Sequence, residues 1–214
     1  MPKSIPELRQ EYSLGALNKT SIDPNPLRQF QRWLNEAIAA QLPEPNAMIL
    51  ATVDSQGSPS ARAMLLKGLE DQGFVFFSNY LSIKGRQLAE NPRAALVFLW
   101  KELERQVRVE GTVRRISRAE SEAYFYSRPL GNRLGALASQ QSQVVASRKV
   151  LEERFAALNQ RFADGNIPMP EHWGGYRLIP VKIEFWQGRQ NRLHDRLRYW
   201  LQADGSWLLE RLEP

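Results

Sequence analysis

The stretch Trp173-Gly-Gly-Tyr-Arg-Leu-Ile-Pro-Val-Lys-Ile-Glu-Phe-Trp-Gln-Gly188, followed by Arg192-Leu-His-Asp-Arg-Leu-Arg-Tyr-Trp-Leu201, reads as two successive strands over residues 176–186 and 192–201. A third follows over 206–212. Alternate side chains of a strand share a face, so Arg192, His194 and Arg196 should point together while Leu193 turns into a core. Three cation-capable groups side by side repel one another, and an anion among them relieves that repulsion. On spacing alone a solvated strand face serves equally well. Two features favour the anion. His194 is one of two histidines in the chain, and Phe185-Trp-Gln-Gly188 is an aromatic approach suited to a planar ligand. The expectation is an anionic, ring-bearing small molecule at this strand.

Working outward, the remaining chain supplies short strands joined by hairpin-length turns. Asp23-Pro-Asn-Pro26 caps a helix whose apolar stripe runs through Leu27, Phe30, Leu34, Ile38 and Gln41. Strands are expected over 47–53, 62–69, 74–77, 94–100 and 106–116, with turns at Asp54-Ser-Gln-Gly-Ser-Pro59 and Glu70-Asp-Gln-Gly73. Ser82 opens a short helix through Leu88, and Ser117-Arg-Ala-Glu120 is a capping box opening another toward Tyr126, ended by Pro129. Leu151, Phe155, Leu158 and Phe162 mark a further helix, closed by Asp164-Gly165. This order predicts a mainly β, α+β protein: an antiparallel barrel with peripheral helices, in one domain over 1–214, with residues 1–20 a candidate mobile segment. No glycine-rich fingerprint leads from a strand into a helix, which argues against a Rossmann domain.

The chain has 214 residues, a formal net charge of +6 and no cysteine, so disulfides and thiolate metal sites are excluded. No apolar run approaches membrane-spanning length and the N-terminus has no apolar leader core, which makes the cytoplasm the expected address. Basic residues are interleaved with acids, as in Glu102-Leu-Glu-Arg-Gln, and form no tract of the kind nucleic-acid binders carry. A Gly-x-Ser-x-Gly elbow is absent, and His172 and His194 are not at helical metal-ligand spacing. No metal is expected. Difficult chemistry would require a borrowed cofactor.

Trp-Gly-Gly-Tyr-Arg, Ile-Glu-Phe-Trp-Gln-Gly and Arg-Leu-His-Asp-Arg together resemble the signature of the pyridoxamine/pyridoxine 5'-phosphate oxidases. Upstream, Arg62-Ala-Met-Leu-Leu-Lys67, Glu104-Arg-Gln-Val107, Tyr124-Phe-Tyr-Ser-Arg-Pro129 and Ser139-Gln-Gln-Ser142 follow in that family's order, so the resemblance covers nearly the whole chain. It implies an FMN-binding split barrel and a homodimer with FMN at the interface. It also implies oxidation of pyridoxamine or pyridoxine 5'-phosphate to pyridoxal 5'-phosphate, with oxygen as acceptor and hydrogen peroxide as by-product. In that chemistry hydride leaves the substrate's C4' carbon for flavin N5.

By the same resemblance Arg62, Lys67, Phe77, Ser78, Ser82, Lys84, Gln106, Gln141, Ser142, Trp186 and Arg196 hold the flavin, with Gln141, Ser142, Trp186 and Arg196 supplied by the partner chain. Lys67, Tyr124, Arg128 and Asn132 hold the substrate phosphate. Arg192 and His194 contact the substrate ring as the catalytic pair, and Arg9 and Tyr12 fold over it. Taken singly, Met64 and Leu66 read as core, and Lys84 and Gln106 as surface. Three positions depart from the pattern: Ile83 where an arginine is usual, Asn132 where a serine is usual, and Phe77 where tyrosine occurs. The rival functions are a non-catalytic flavin or pyridoxal phosphate carrier and a basic nucleic-acid-binding protein.

Overall fold

The structure is a computed structural model describing residues 4–8, 11–70 and 73–214. Arg9, expected at the substrate, lies outside the described residues. Asn25 caps α1 (Pro26–Ala39), its side chain accepting from the amides of Leu27 and Arg28, while Pro26 sits in the first turn where its missing N–H costs nothing. The buried face of α1 is Phe30, Trp33, Leu34 and Ala37. The expected stripe is thus rotated, and Ile38 is 54% exposed. Turning Trp33 inward sets its ring edge-on to Phe185 at 5.1 Å, and a buried indole removes more apolar area from water than an isoleucine would.

Among the described residues, nine strands form one antiparallel sheet: β1 (Ala47–Val53), β2 (Pro59–Leu65), β3 (Gly68–Glu70), β4 (Gly73–Asn79), β5 (Arg93–Trp100), β6 (Arg105–Arg115), β7 (Trp173–Gln187), β8 (Asp195–Leu201) and β9 (Trp207–Leu212). Their order is β2-β1-β5-β6-β7-β4-β3, with β8 and β9 branching from β7. On one edge β7 pairs with β6; on the other it pairs with β4 over its first half and with β8 over its second. Pro180, which cannot donate to a ladder, and a register shift at Glu110/Gly111 lie near that handover. There the sheet divides into two curled halves, with α1 packed over the core of Phe30, Phe74, Phe98 and Phe185.

Around the sheet lie α2 (Ile83–Glu90), α3 (Arg118–Ser127), α4 (Leu130–Ala138) and α5 (Arg148–Arg161). The capping box of Ser117 and Glu120 forms as expected. The strand expected over 62–69 is divided. Leu66 donates its amide to Asn46 and Lys67 donates to Val75, so the chain changes partners within two residues, from the β1 side to β4. Helix α4 is absent from the expected elements; Gly131 and Gly135 and the lack of a side-chain cap give 130–138 little local helix signal. Tertiary burial of Leu134 beside Phe125 and Ile167 supplies what local propensity lacks.

The correction of greatest consequence falls at Arg192. Strand β8 begins only at Asp195, paired with Gln187, and Asn191 and Arg192 have left-handed backbone angles (φ 54° and 59°). Residues 188–194 are therefore the connection between β7 and β8, and strand alternation does not apply to them. Leu193 is 69% exposed rather than core, and Arg192, His194 and Arg196 do not form one strand face. Asp195 anchors the start of the strand, since it accepts from the Leu17 amide at 3.0 Å and from Arg211 at 2.5 Å.

A candidate active site in two halves

The first half gathers where β2, β4, α2 and α3 meet the N-terminal end of β7. A cavity of about 360 Å³ is lined by Met64, Leu65, Lys67, Phe77, Ser78, Tyr124, Arg128, Gln141 and Trp173, among others. Phe77, Tyr124 and Trp173 form a near-parallel stack, with Phe77 3.9 Å from Tyr124 and 5.4 Å from Trp173 between ring centroids. Gly174 and Gly175 permit this. A Cβ at Gly174 would overlap the Tyr80 hydroxyl, and one at Gly175 would lie 2.8 Å from the Phe77 ring.

Cations here lack acidic partners. Arg62, on β2, donates to Leu50 O at 3.2 Å and to Thr52 Oγ1 at 2.6 Å. Lys84, on α2, is only 8% exposed, so it is no surface residue, and its Nζ lies 3.3 Å from Gln141 Oε1. Burial lowers the pKa of both groups, and the charge of Arg62 lowers that of Lys84 further. Arg128 closes α3 with its guanidinium 4.8 Å from the centre of the Trp173 ring; its Nη1 is buried without a hydrogen-bond partner, and burial lowers its pKa. No carboxylate pairs with Arg62, Lys84 or Arg128 among the described residues. A buried lysine and two half-buried arginines without a counter-charge are costly, and an anionic ligand lowers that cost.

Ser82 caps α2, accepting from the Gly85 amide. Ser78 Oγ donates to Gln141 Oε1 at 3.3 Å, which puts Gln141 beside Ser78 and Lys84 of its own chain rather than in a separate half. Ser142 is exposed, with φ 72°. Asn132 is exposed on the first turn of α4 and does not line the cavity.

The second half lies at the opposite end of β7. Gln106, Trp186 and Arg196 are register neighbours across β6, β7 and β8. The Trp186 ring is 5.7 Å from Tyr12 and 4.7 Å from His194. His194 Nδ1 accepts from the Arg189 amide at 3.1 Å, so a neutral imidazole carries its proton on Nε2. Tyr12, Lys101, Arg189, Arg192 and His194 line a second cavity of about 490 Å³. Trp173 and Lys101 add to the expected site residues: Trp173 opens the motif Trp-Gly-Gly-Tyr-Arg, whereas Lys101 lies in a short 3-10 turn with no pattern to mark it. Some 40 Å of strand path separates Trp173 from Trp186, at about 3.3 Å per residue.

Fold and cavities define a split-barrel protein with an aromatic-walled cavity lined by the cations Lys67 and Arg128. The family description "Pyridoxamine 5'-phosphate oxidase" matches residues 34–162, and "Pyridoxine 5'-phosphate oxidase C-terminal dimerisation region" matches 173–214. The chain belongs to the pyridoxamine 5'-phosphate oxidase family. It is 56% identical over the full length of both chains to the pyridoxine/pyridoxamine 5'-phosphate oxidase of Trichormus variabilis, and 59% identical, over 99% of each chain, to oxidase 1 of Ralstonia nicotianae. Among solved structures, PhzG from Burkholderia lata, in complex with tetrahydrophenazine-1-carboxylic acid, superposes with a TM-score of 0.88 at 31% identity, covering 94% of this chain and all of that one. A related FMN-binding protein from Nostoc punctiforme shares the fold, with a TM-score of 0.69 at 18% identity over 90% of this chain and all of that one.

Proposed function

We propose that the protein oxidises pyridoxamine or pyridoxine 5'-phosphate to pyridoxal 5'-phosphate with bound FMN, oxygen serving as acceptor and hydrogen peroxide as by-product. The observation that carries this reading is the aromatic-walled cavity lined by Lys67 and Arg128, with the buried Lys84 reaching it through Gln141 and the half-buried Arg62 acting on Lys84 by its charge, none of Arg62, Lys84 and Arg128 having an acidic partner among the described residues. Those residues fit two phosphates. Arg62 and Lys84, with Ser78 and Gln141 beside Lys84, suit the FMN phosphate. Arg128, Tyr124 and Lys67 suit the substrate phosphate.

Bound FMN supplies the hydride acceptor. The chain's own contribution is to hold the substrate ring in place and exclude water. Arg192 covers the ring, and the Nε2–H of His194 donates to a ring substituent. Neither needs to act as an obligatory base. Because the halves lie at opposite ends of β7, the proposal includes a homodimer in which Gln106, Trp186, Arg196, Arg192 and His194 of one copy complete the cavity of the other. The match of 173–214 to a dimerisation region supports this. Cytoplasmic residence belongs to the same proposal; no helix among the described residues is long and apolar enough to cross a membrane.

Purified protein should be yellow, bleach when pyridoxine 5'-phosphate is added without oxygen, and regain colour in air. A carrier would keep its colour throughout. A colourless protein that takes up no FMN would overturn the assignment.

A further inference from the structure

We infer that Glu184 is a positioning residue that orients Arg196 toward the flavin. The inference rests on the reading of Arg196 as a flavin contact given above. Glu184 lies in the middle of β7, 9% exposed, on the same sheet face as Trp186. Its Oε1 accepts from Arg196 Nε at 2.8 Å, and its Oε2 is 3.6 Å from Arg108 Nη1. Across the ladder Glu184 stands opposite Arg108 on β6 and Arg198 on β8, and Arg198 in turn faces Glu210 on β9 and pairs with it at 2.6 Å. The carboxylate is thus shared within a row of alternating charge, one step along the strands from the row Gln106, Trp186, Arg196.

The other end of the Arg196 guanidinium is tied as well, since Nη1 donates to the Glu213 carbonyl at 2.9 Å. Two of its three nitrogens are therefore held, and Nη2 has no partner among the described residues. A planar guanidinium held at two nitrogens has its third donor fixed in direction, whereas a free arginine must lose rotamer freedom on binding. A buried carboxylate is expensive to desolvate, and its retention on an outer sheet face is accounted for by this orienting task rather than by stability.

The test uses the full-length protein stripped of FMN and titrated with FMN by fluorescence quenching. Glu184→Ala should weaken FMN binding about tenfold, and Glu184→Gln, which keeps the volume and one oxygen acceptor, by a smaller factor. The decisive comparison is the cycle with Arg196→Ala: once Arg196 is gone, removing Glu184 should change the Kd no further. Unfolding temperatures of the variants control for folding, and Glu184→Gln carries the test if Glu184→Ala does not fold. An unchanged Kd in Glu184→Gln and Glu184→Ala, or losses that add to that of Arg196→Ala, would overturn the positioning role while leaving Arg196 as a flavin contact. A silent Arg196→Ala would instead overturn the contact itself, and the inference with it.

Discussion

Arg128 retains a buried nitrogen without a partner while Trp173 supports its guanidinium and Tyr124 stands beside it. Removing both phosphate-facing groups with Tyr124→Phe and Arg128→Ala should raise KM for the phosphorylated substrate about ten- to a hundredfold, the cost of about 1.5–3 kcal/mol for lost charged hydrogen bonds. Activity on the unphosphorylated vitamin is the control, and equal losses on both would refute the phosphate assignment. Lys84 carries a pH signature. On the proposed function its charged form would grip phosphate, and its pKa is lowered by burial first and by Arg62 second. FMN affinity should therefore be full below that lowered pKa and fall as the lysine deprotonates, in the alkaline range below the ordinary lysine value. Lys84→Arg should flatten the decline, since a guanidinium stays protonated there. FMN titrations across pH in both proteins measure the effect.

At the scale of elements, the proposal gives the start of α2 the task of meeting the FMN phosphate. Ser82 and Lys84 turn inward and are buried, while Ile83, 47% exposed, and Arg86 lie on the solvent side. Ile83 occupies the place where the family usually carries arginine. If an arginine at this exposed position turns to the FMN phosphate, Ile83→Arg should tighten FMN binding several-fold, about 1 kcal/mol for one added charge-assisted contact. Should the Kd stay unchanged while Arg86→Ala weakens binding, Arg86, one helical turn on, already covers the phosphate. If Ile83→Arg, Arg86→Ala and Lys84→Ala are all silent, the start of α2 is not the phosphate site.

For the whole molecule, the two cavities at opposite ends of β7 make a distinctive demand. Arg128→Ala damages one half and Arg192→Leu the other, so each homodimer should be impaired at both sites. Mixed and reassociated, half of the dimers are hybrids, and each hybrid has one site with neither mutation. Recovery of about a quarter of wild-type activity is expected from random pairing of copies with twofold symmetry. No recovery above the two parents would mean that each site lies within one copy.

Local rules located most elements: the Asn25 cap with Pro26, the Ser117–Glu120 capping box and the strand over 47–53 all follow from chemistry confined to a few neighbouring residues. The ordered motifs carry the family resemblance within the sequence itself. What local chemistry could not reach was everything set by distant partners. Leu66 and Lys67 break a strand because their amides bond to Asn46 and Val75 on opposite sides. Helix α4 exists because Leu134 is buried beside Phe125. Arg192 leaves the strand because the β7–β8 ladder ends at the Gln187–Asp195 pair. Likewise the burial of Lys84 and the tether from Glu184 to Arg196 arise only once segments far apart in the chain are packed together, since burial and ion pairing depend on separation in space rather than in sequence.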